Sequence, residues 1–205
     1  MPFHRYTNLA SAIHILSTKT ITLLNPATWD DRNDAHFMAE YKRLRGAETL
    51  LALCFAEHTQ TYHHWRVFAN GADGVCIEFD KDRLLSTLKH PGLKHKAVDY
   101  YRINDAKKMP KVGVEDLPFI KRSPYNDERE YRVIYENAKA VEDYKDFPID
   151  VSWIFRVTLS PWMPKALVKS VKAHLRTIDG CKKLDVFRST LTDNEAWKSL
   201  TAHIK

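Results

Sequence analysis

Residues 123–137 read SPYNDEREYRVIYEN, and the way this stretch folds governs the reading of the whole chain. A strand sends alternate side chains to opposite faces. Extended, the segment puts Glu128, Glu130, Arg132 and Ile134 on one face and Arg129, Tyr131, Val133 and Tyr135 on the other. The second set suits packing, apart from Arg129. The first gathers two carboxylates and a guanidinium where an apolar face is just beginning. Two readings are open: an ion-pair network closing a sheet end, or a catalytic or ligand-binding carboxylate held by its neighbours.

On the C-terminal side, residues 138–150 read as an acidic, irregular loop and 151–159 (VSWIFRVTL) as a strong strand, so that the two strands suggest a hairpin with a long loop. Positions 161–178 are amphipathic and helical with Gly180 as a stop, followed by a strand at 183–191 and a helix at 194–204. On the N-terminal side, 3–7 reads as a strand, and Thr7 or Asn8 caps a helix carrying Leu9, Ala12, Ile13 and Leu16. A strand at 19–24 runs into the Asn25-Pro26 break and a polar loop, NPATWDDRNDAHF, before a helix at 35–45 that stops at Gly46. TLLALCF at 49–55 has the unbroken apolar character of a strand buried on both faces. A short helix at 61–69, a turn at 70–74, a strand at 75–79, a helix from Asp80 to Leu88, a strand at 95–101 and a short helix around 115–121 complete the order. The pattern predicts an α+β fold: a single domain over 1–205, with mixed, mostly antiparallel sheet and flanking helices.

The chain has 205 residues, 44% hydrophobic and 28% charged, enough for a sizeable core without staples. No repeat or low-complexity segment is present. MPFHRYTNLASAIHIL lacks the apolar core and cleavage site of a signal peptide, and there is no run of about 18 apolar residues for a membrane span. Three widely spaced cysteines, Cys54, Cys76 and Cys181, without a C-x-x-C pairing, suit a reducing cytoplasm. The formal charge of +6 permits nucleic-acid binding, and the densest basic group is Lys165, Lys169, Lys172, Arg176, Lys182 and Lys183, either a solvated helix face or a phosphate-contacting surface.

Phosphate-loop, dinucleotide-fingerprint, nucleophile-elbow and H-E-x-x-H motifs are all missing, and the adjacent His63 and His64 make a poor metal pair. No metal is expected. Besides Glu128, Glu130 and Arg132, the places that remain are His4, Arg5 and Tyr6 on the first strand, Asn33 and Asp34 in the polar loop, Trp65 ahead of the glycine-containing turn, and Arg188-Ser189 at the end of the last strand. Each also has an ordinary structural reading: turn chemistry for Asn33 and Asp34, core packing for Trp65.

Taken in order, FHRYTNL, TITLLNP with a following Asn-Asp, LCFAE, HW then GADGVCIEF, a lysine before a polar turn, and EREYRVI resemble a bacterial domain family of unknown function that includes AbiGi-like abortive-infection, phage-defence proteins. The resemblance spans residue 3 to about 191, with departures at Ala35, Ala56, His64 and Tyr125. The layout is also similar to ADP-ribosyltransferases. That similarity implies NAD as substrate, held by His4, Arg5 and Tyr6 with Trp65 stacking on nicotinamide, and Glu130 as the catalytic carboxylate with Glu128 orienting the acceptor. The activity so implied is ADP-ribosyl transfer or NAD glycohydrolysis, and Glu130→Gln is expected to abolish it while leaving the melting temperature nearly unchanged. The alternatives are a nucleic-acid-binding module on the basic surface, a nuclease with Asp34, Glu128 and Glu130 around Mg²⁺, and a non-catalytic interaction protein.

Overall fold

Asn8 both ends the first strand and starts the first helix: its Oδ1 accepts the Ser11 N–H at 2.8 Å, and Ala12, Ile15 and Leu16 then follow as the buried stripe. The computed structural model in which this is seen describes residues 1–69, 71–106 and 112–203. Its first elements are β1 (Phe3–Asn8), α1 (Leu9–Thr18), β2 (Thr20–Leu24), α2 (Arg32–Arg45), β3 (Thr49–Ala56), α3 (Tyr62–Val67), β4 (Gly74–Phe79), α4 (Lys81–Thr87) and β5 (Leu93–Ala97). They continue with β6 (Asp99–Tyr101), α5 (Ile103–Ala106), β7 (Ile120–Arg122), β8 (Glu130–Asn137), β9 (Tyr144–Pro148), β10 (Ile154–Leu159), α6 (Lys165–Thr177), β11 (Val186–Arg188) and α7 (Glu195–Lys198).

The chain divides into two compact units. Unit 1 takes Met1, Thr20–His58 and Lys81–Ile149; unit 2 takes Pro2–Lys19, Thr59–Asp80 and the chain from Asp150 onward. Unit 1 holds an antiparallel sheet in the order β9-β2-β3-β8-β5 and a parallel pair, β6 with β7. Unit 2 holds β11-β10-β4-β1, antiparallel except for the parallel β10–β11 pair. With helices accompanying the strands, the class is α+β with mixed, mostly antiparallel sheet, as expected from the sequence.

In unit 1 one face of β8 meets one face of α2. Cys54, Ala52 and Leu50 of β3 stand opposite Arg132, Ile134 and Glu136 of β8. Asp34, Met38, Tyr41 and Arg45, spaced at helical intervals on α2, supply the matching stripe. Its middle is apolar, with Met38, Tyr41, Leu50, Ala52, Phe119 and Ile134 buried together and Trp29 and Leu117 packed against them. Its two ends are charged. Gly46 closes α2 in the left-handed region, φ 60°, where a side chain would be strained. In unit 2, a Cβ on Gly74 would lie 2.6 Å from the Ala69 carbonyl oxygen, so only glycine lets β4 start this close to the preceding turn.

The structure corrects several boundaries. The α2 helix begins at Arg32, three residues before the expected start, because Asp31 caps it through the Asn33 and Asp34 N–H groups. Asn33 and Asp34 are therefore helical, not loop. The 138–150 segment contains the strand β9, paired with β2. The expected β8–β10 hairpin does not form: β8 takes β3 and β5 as neighbours, and β10 takes β4 and β11. Strong strand propensity in two successive segments does not choose their partners. The expected strand at 95–101 is split into β5 and β6, and that at 151–159 opens with a 3-10 turn, Val151–Trp153. Asn70 and Ile204, part of the expected turn and last helix, lie outside the described residues.

Candidate active site

The head of β8 is not the continuous strand that the sequence suggested. Ser123–Glu128 forms a 3-10 turn started by Pro124, and Arg129 then takes left-handed angles, φ 45° and ψ 50°. A non-glycine residue there carries strain that the surroundings must hold in place. They do so from several sides. Arg129 donates its N–H to the Asn126 carbonyl at 3.3 Å, and its own carbonyl accepts the Glu57 N–H at 2.8 Å. The Glu130 N–H donates to the Tyr100 hydroxyl at 2.9 Å, and the Glu130 carbonyl accepts the Val98 N–H at 2.9 Å. The reversal at Arg129, not strand alternation, turns Glu128 and Glu130 toward the same lysine.

That lysine is Lys121 of β7. Its Nζ stands 2.7 Å from Glu128, 3.3 Å from Glu130 and 3.6 Å from Asp34, and 4.9 Å from the centre of the Tyr125 ring. Beside it, Arg132 is wholly buried and uses its planar fork twice. Nε and Nη2 donate to the two oxygens of Glu130 at 2.7 and 2.9 Å, while Nη1 and Nη2 donate to the two oxygens of Asp34 at 2.8 Å each. Nη1 also reaches the Pro118 carbonyl at 2.7 Å, and the guanidinium lies 4.8 Å from the Trp29 ring centre. Three carboxylates face two cations, leaving one net negative charge. Burial on its own would raise the Glu130 pKa, but the Arg132 and Lys121 charges outweigh it and hold the carboxyl down to about 2. Burial likewise works against the charged form of Lys121, and Glu130, Glu128 and Asp34 overcome it and push its pKa up.

The cluster is graded. Arg132 has 0% of its side chain exposed and Asp34 3%, whereas Lys121 and Glu130 each keep 8%. A ligand would therefore meet Lys121, Glu130 and the neighbouring Tyr125 before it met the Arg132–Asp34 end. At neutral pH Glu130 offers a fixed anion beside the Lys121 cation; it does not offer a base, because a carboxylate titrating near 2 holds protons poorly.

Asp34, Glu128, Glu130 and Arg132 are thus brought together. Asn33 is not among them: it is exposed, and its side-chain amide donates to Asp31 at 3.1 Å as part of the helix cap. The trio proposed for Mg²⁺ does converge, but onto Lys121 and Arg132, whose cationic groups already take the carboxylate oxygens. Among the described residues no group of His, Cys, Asp and Glu is arranged to hold a metal ion. Lys121 carried no site expectation of its own from the sequence. Its one signal was its position just ahead of the polar turn SPYND.

The remaining sequence candidates lie in unit 2. His4 Nε2 is 3.6 Å from Glu78, across the β1–β4 register, and Arg5 is half-buried on the other face of β1. Tyr6 is stacked on His64, ring centres 5.0 Å apart, and meets Trp65 edge-on at 5.4 Å. Trp65 is fully buried and donates Nε1–H to the Gln60 Oε1 at 3.1 Å. In this arrangement its ring offers no open face for a nicotinamide. Ser189 Oγ donates to the same Gln60 oxygen at 2.7 Å, and Arg188 donates to the Pro161 carbonyl. Gln60 is the residue that joins two of the candidates, and its place in a polar connecting run gave no hint of this.

Residues 64–133 match the model of a family described as a protein of unknown function, DUF2971. The matched stretch contains Trp65, Lys121, Glu128, Glu130 and Arg132 but not Asp34. No curated protein matches the sequence. Among solved structures, Thermus sp. 2.9 DarT in complex with carba-NAD+ is similar with 8% identity and a TM-score of 0.44, over 92% of this chain and 95% of that one. The same protein in complex with ADP-ribosylated ssDNA is similar with 10% identity and a TM-score of 0.45, over 92% and 93%.

Proposed function

We propose that the cluster at the head of β8 is a carboxylate site that acts on NAD, as an ADP-ribosyltransferase or NAD glycohydrolase does, in an effector of the phage-defence type. The observation that carries the reading is Glu130: ionised, almost buried, and fixed by Arg132 and Lys121 behind a left-handed residue. Breaking the bond between nicotinamide N1 and ribose C1′ sends the electron pair out with nicotinamide and builds positive charge on the sugar. A preorganised anion beside the sugar stabilises that charge without moving. Glu130 serves as that anion and not as a general base, and Glu128 is the carboxylate next to it for the acceptor that attacks C1′. His4, Arg5, Tyr6 and Trp65, named only by the resemblance, carry no part of this reading.

A second reading has its own observation. Both oxygens of Glu130 and both of Asp34 already accept hydrogen bonds inside the cluster. A network so closed is what a buried structural clasp requires, and the chain would then be a non-catalytic interaction protein. The geometry also changes the thermal expectation for Glu130→Gln. Loss of a partner to a fully buried arginine lowers the melting temperature, so stability and turnover have to be followed together.

The test is nicotinamide release from NAD by the intact protein, followed by chromatography, with the melting temperature measured with and without NAD. The proposal expects release, thermal protection by NAD, and loss of release in Glu130→Gln and Glu128→Gln at temperatures where both remain folded. An intact protein that neither releases nicotinamide nor is protected by NAD overturns it and leaves the clasp.

A further inference from the structure

Unit 2 carries a second constellation, at the C-terminal ends of the parallel strands β10 and β11. Tyr62 and Arg66 lie one turn apart on α3, and Arg66 Nε donates to the Tyr62 hydroxyl at 3.0 Å. The Arg66 guanidinium lies 4.2 Å from the centre of the Trp162 ring, and Tyr62 meets the same ring edge-on at 5.7 Å. Tyr62 is 54% exposed and Arg66 is exposed as well, so an aromatic and a guanidinium plane reach solvent together. Among the described residues no carboxylate pairs with Arg66. Arg188, which holds the Pro161 carbonyl just before Trp162, has a buried Nε with no hydrogen-bond partner. Lys165 and Lys169 follow on the exposed face of α6, which starts three residues after Trp162. Asp193 and Glu195 share the one Lys198 ammonium, and the Asp193 carboxyl is held below its usual range by Lys198 first and then by Lys165 and Arg188, so it offsets part of this charge.

We propose that this surface binds single-stranded nucleic acid: bases stack on the Tyr62 ring and on the Arg66 plane that Trp162 backs, and backbone phosphates take Arg188, Lys165 and Lys169. Every base has a π-face, so a platform of this kind is tolerant of sequence, and arginine planes serve it as well as rings do. A duplex hides its base faces and satisfies only the cationic half of the site. A mononucleotide reaches one plane and one phosphate position. This inference is independent of the NAD reading, which concerns residues of unit 1.

The experiment is fluorescence anisotropy with a labelled single-stranded oligonucleotide of about 12 nucleotides, the span of one stacking groove. The intact protein is expected to bind it, with affinity falling steeply as salt rises. Arg66→Ala and Tyr62→Ser, both at exposed positions, are each expected to weaken binding about tenfold, the loss of roughly one stacked base. Absence of binding at low salt overturns the proposal. So does equal affinity for duplex, or retention of full affinity by Arg66→Ala and Tyr62→Ser, either of which reduces the surface to unspecific charge. A mononucleotide that displaces the oligonucleotide at micromolar concentration also overturns it, in favour of a small-molecule pocket.

Discussion

The contact between α2 and β8 has ion pairs at both ends, built from the same helix stripe and the same strand face, and the ends differ in their access to water. At one end Arg132 clasps Asp34 and Glu130 with no side-chain surface exposed. At the other, Tyr41 donates to Glu136 at 2.7 Å and accepts from Lys94 at 2.8 Å, while Arg45 reaches Glu136 at 3.0 Å and Glu115 at 3.1 Å with 40% of its side chain exposed. The two ends use the same residue chemistry. Desolvation decides how much each end depends on every member: a buried pair that loses one partner strands a charge, whereas an exposed pair returns its partner to solvent.

The sharpest way to break this comparison is Arg132→Met, which leaves Asp34 and Glu130 with Lys121, at 3.6 and 3.3 Å, as the one cation they still share. A loss of about 3–5 kcal/mol in denaturant unfolding is expected. A loss below about 1 kcal/mol would show that the buried end behaves like the exposed one. Pairing that change with Asp34→Ala sharpens the point. The double variant is expected to be less destabilised than the sum of the singles, by about 1–3 kcal/mol, because the second substitution removes a charge that the first had stranded.

Acid offers a third route. The folded pKa of Glu130 is depressed to about 2, below its value near 4.3 in an unfolded chain, so its contribution is fully present above about pH 4.3. Stability from this group is expected to decline as pH falls from there toward 2. Arg132→Met is expected to flatten that decline, and an unchanged acid slope in the variant would assign the loss to other carboxylates. The smallest effect belongs to the exposed end: Arg45→Ala is expected to leave the unfolding midpoint within error at moderate salt, where the pair is screened.

The same contrast explains what could be read in advance. Elements set by local chemistry were legible: the Asn8 cap, the Gly46 stop and the two-sided apolar run of β3 are written in neighbouring residues. The α2 start was missed because Asp31, Asn33 and Asp34 look like turn residues until Asp31 is seen to cap. β9 was missed because YKDFP is short and alternates weakly, and pairing with β2 is what makes it a strand. Of the cluster, Glu128, Glu130 and Arg132 stood out as charges where an apolar face begins, and Asp34 as part of a charged polar loop. Lys121 did not, because a solitary lysine gains its meaning only from carboxylates delivered by three other segments. The grouping of Glu128 with Glu130 came out right for a physical reason that the sequence does not display, the left-handed Arg129.

The interleaving of the two units has a consequence for how the chain is born. Every strand of unit 1 has been made once Ile149 has been synthesised, whereas β1 and β4 of unit 2 must wait for β10. At translation rates of roughly 5–20 residues per second that wait lasts seconds. Throughout it the edge of β4 that β10 will cover, with the apolar run Val75, Cys76, Ile77 and Phe79, stands open to any other strand. The nascent chain thus passes through a period in which this apolar strand offers an unpaired edge to a chaperone or to a second nascent copy.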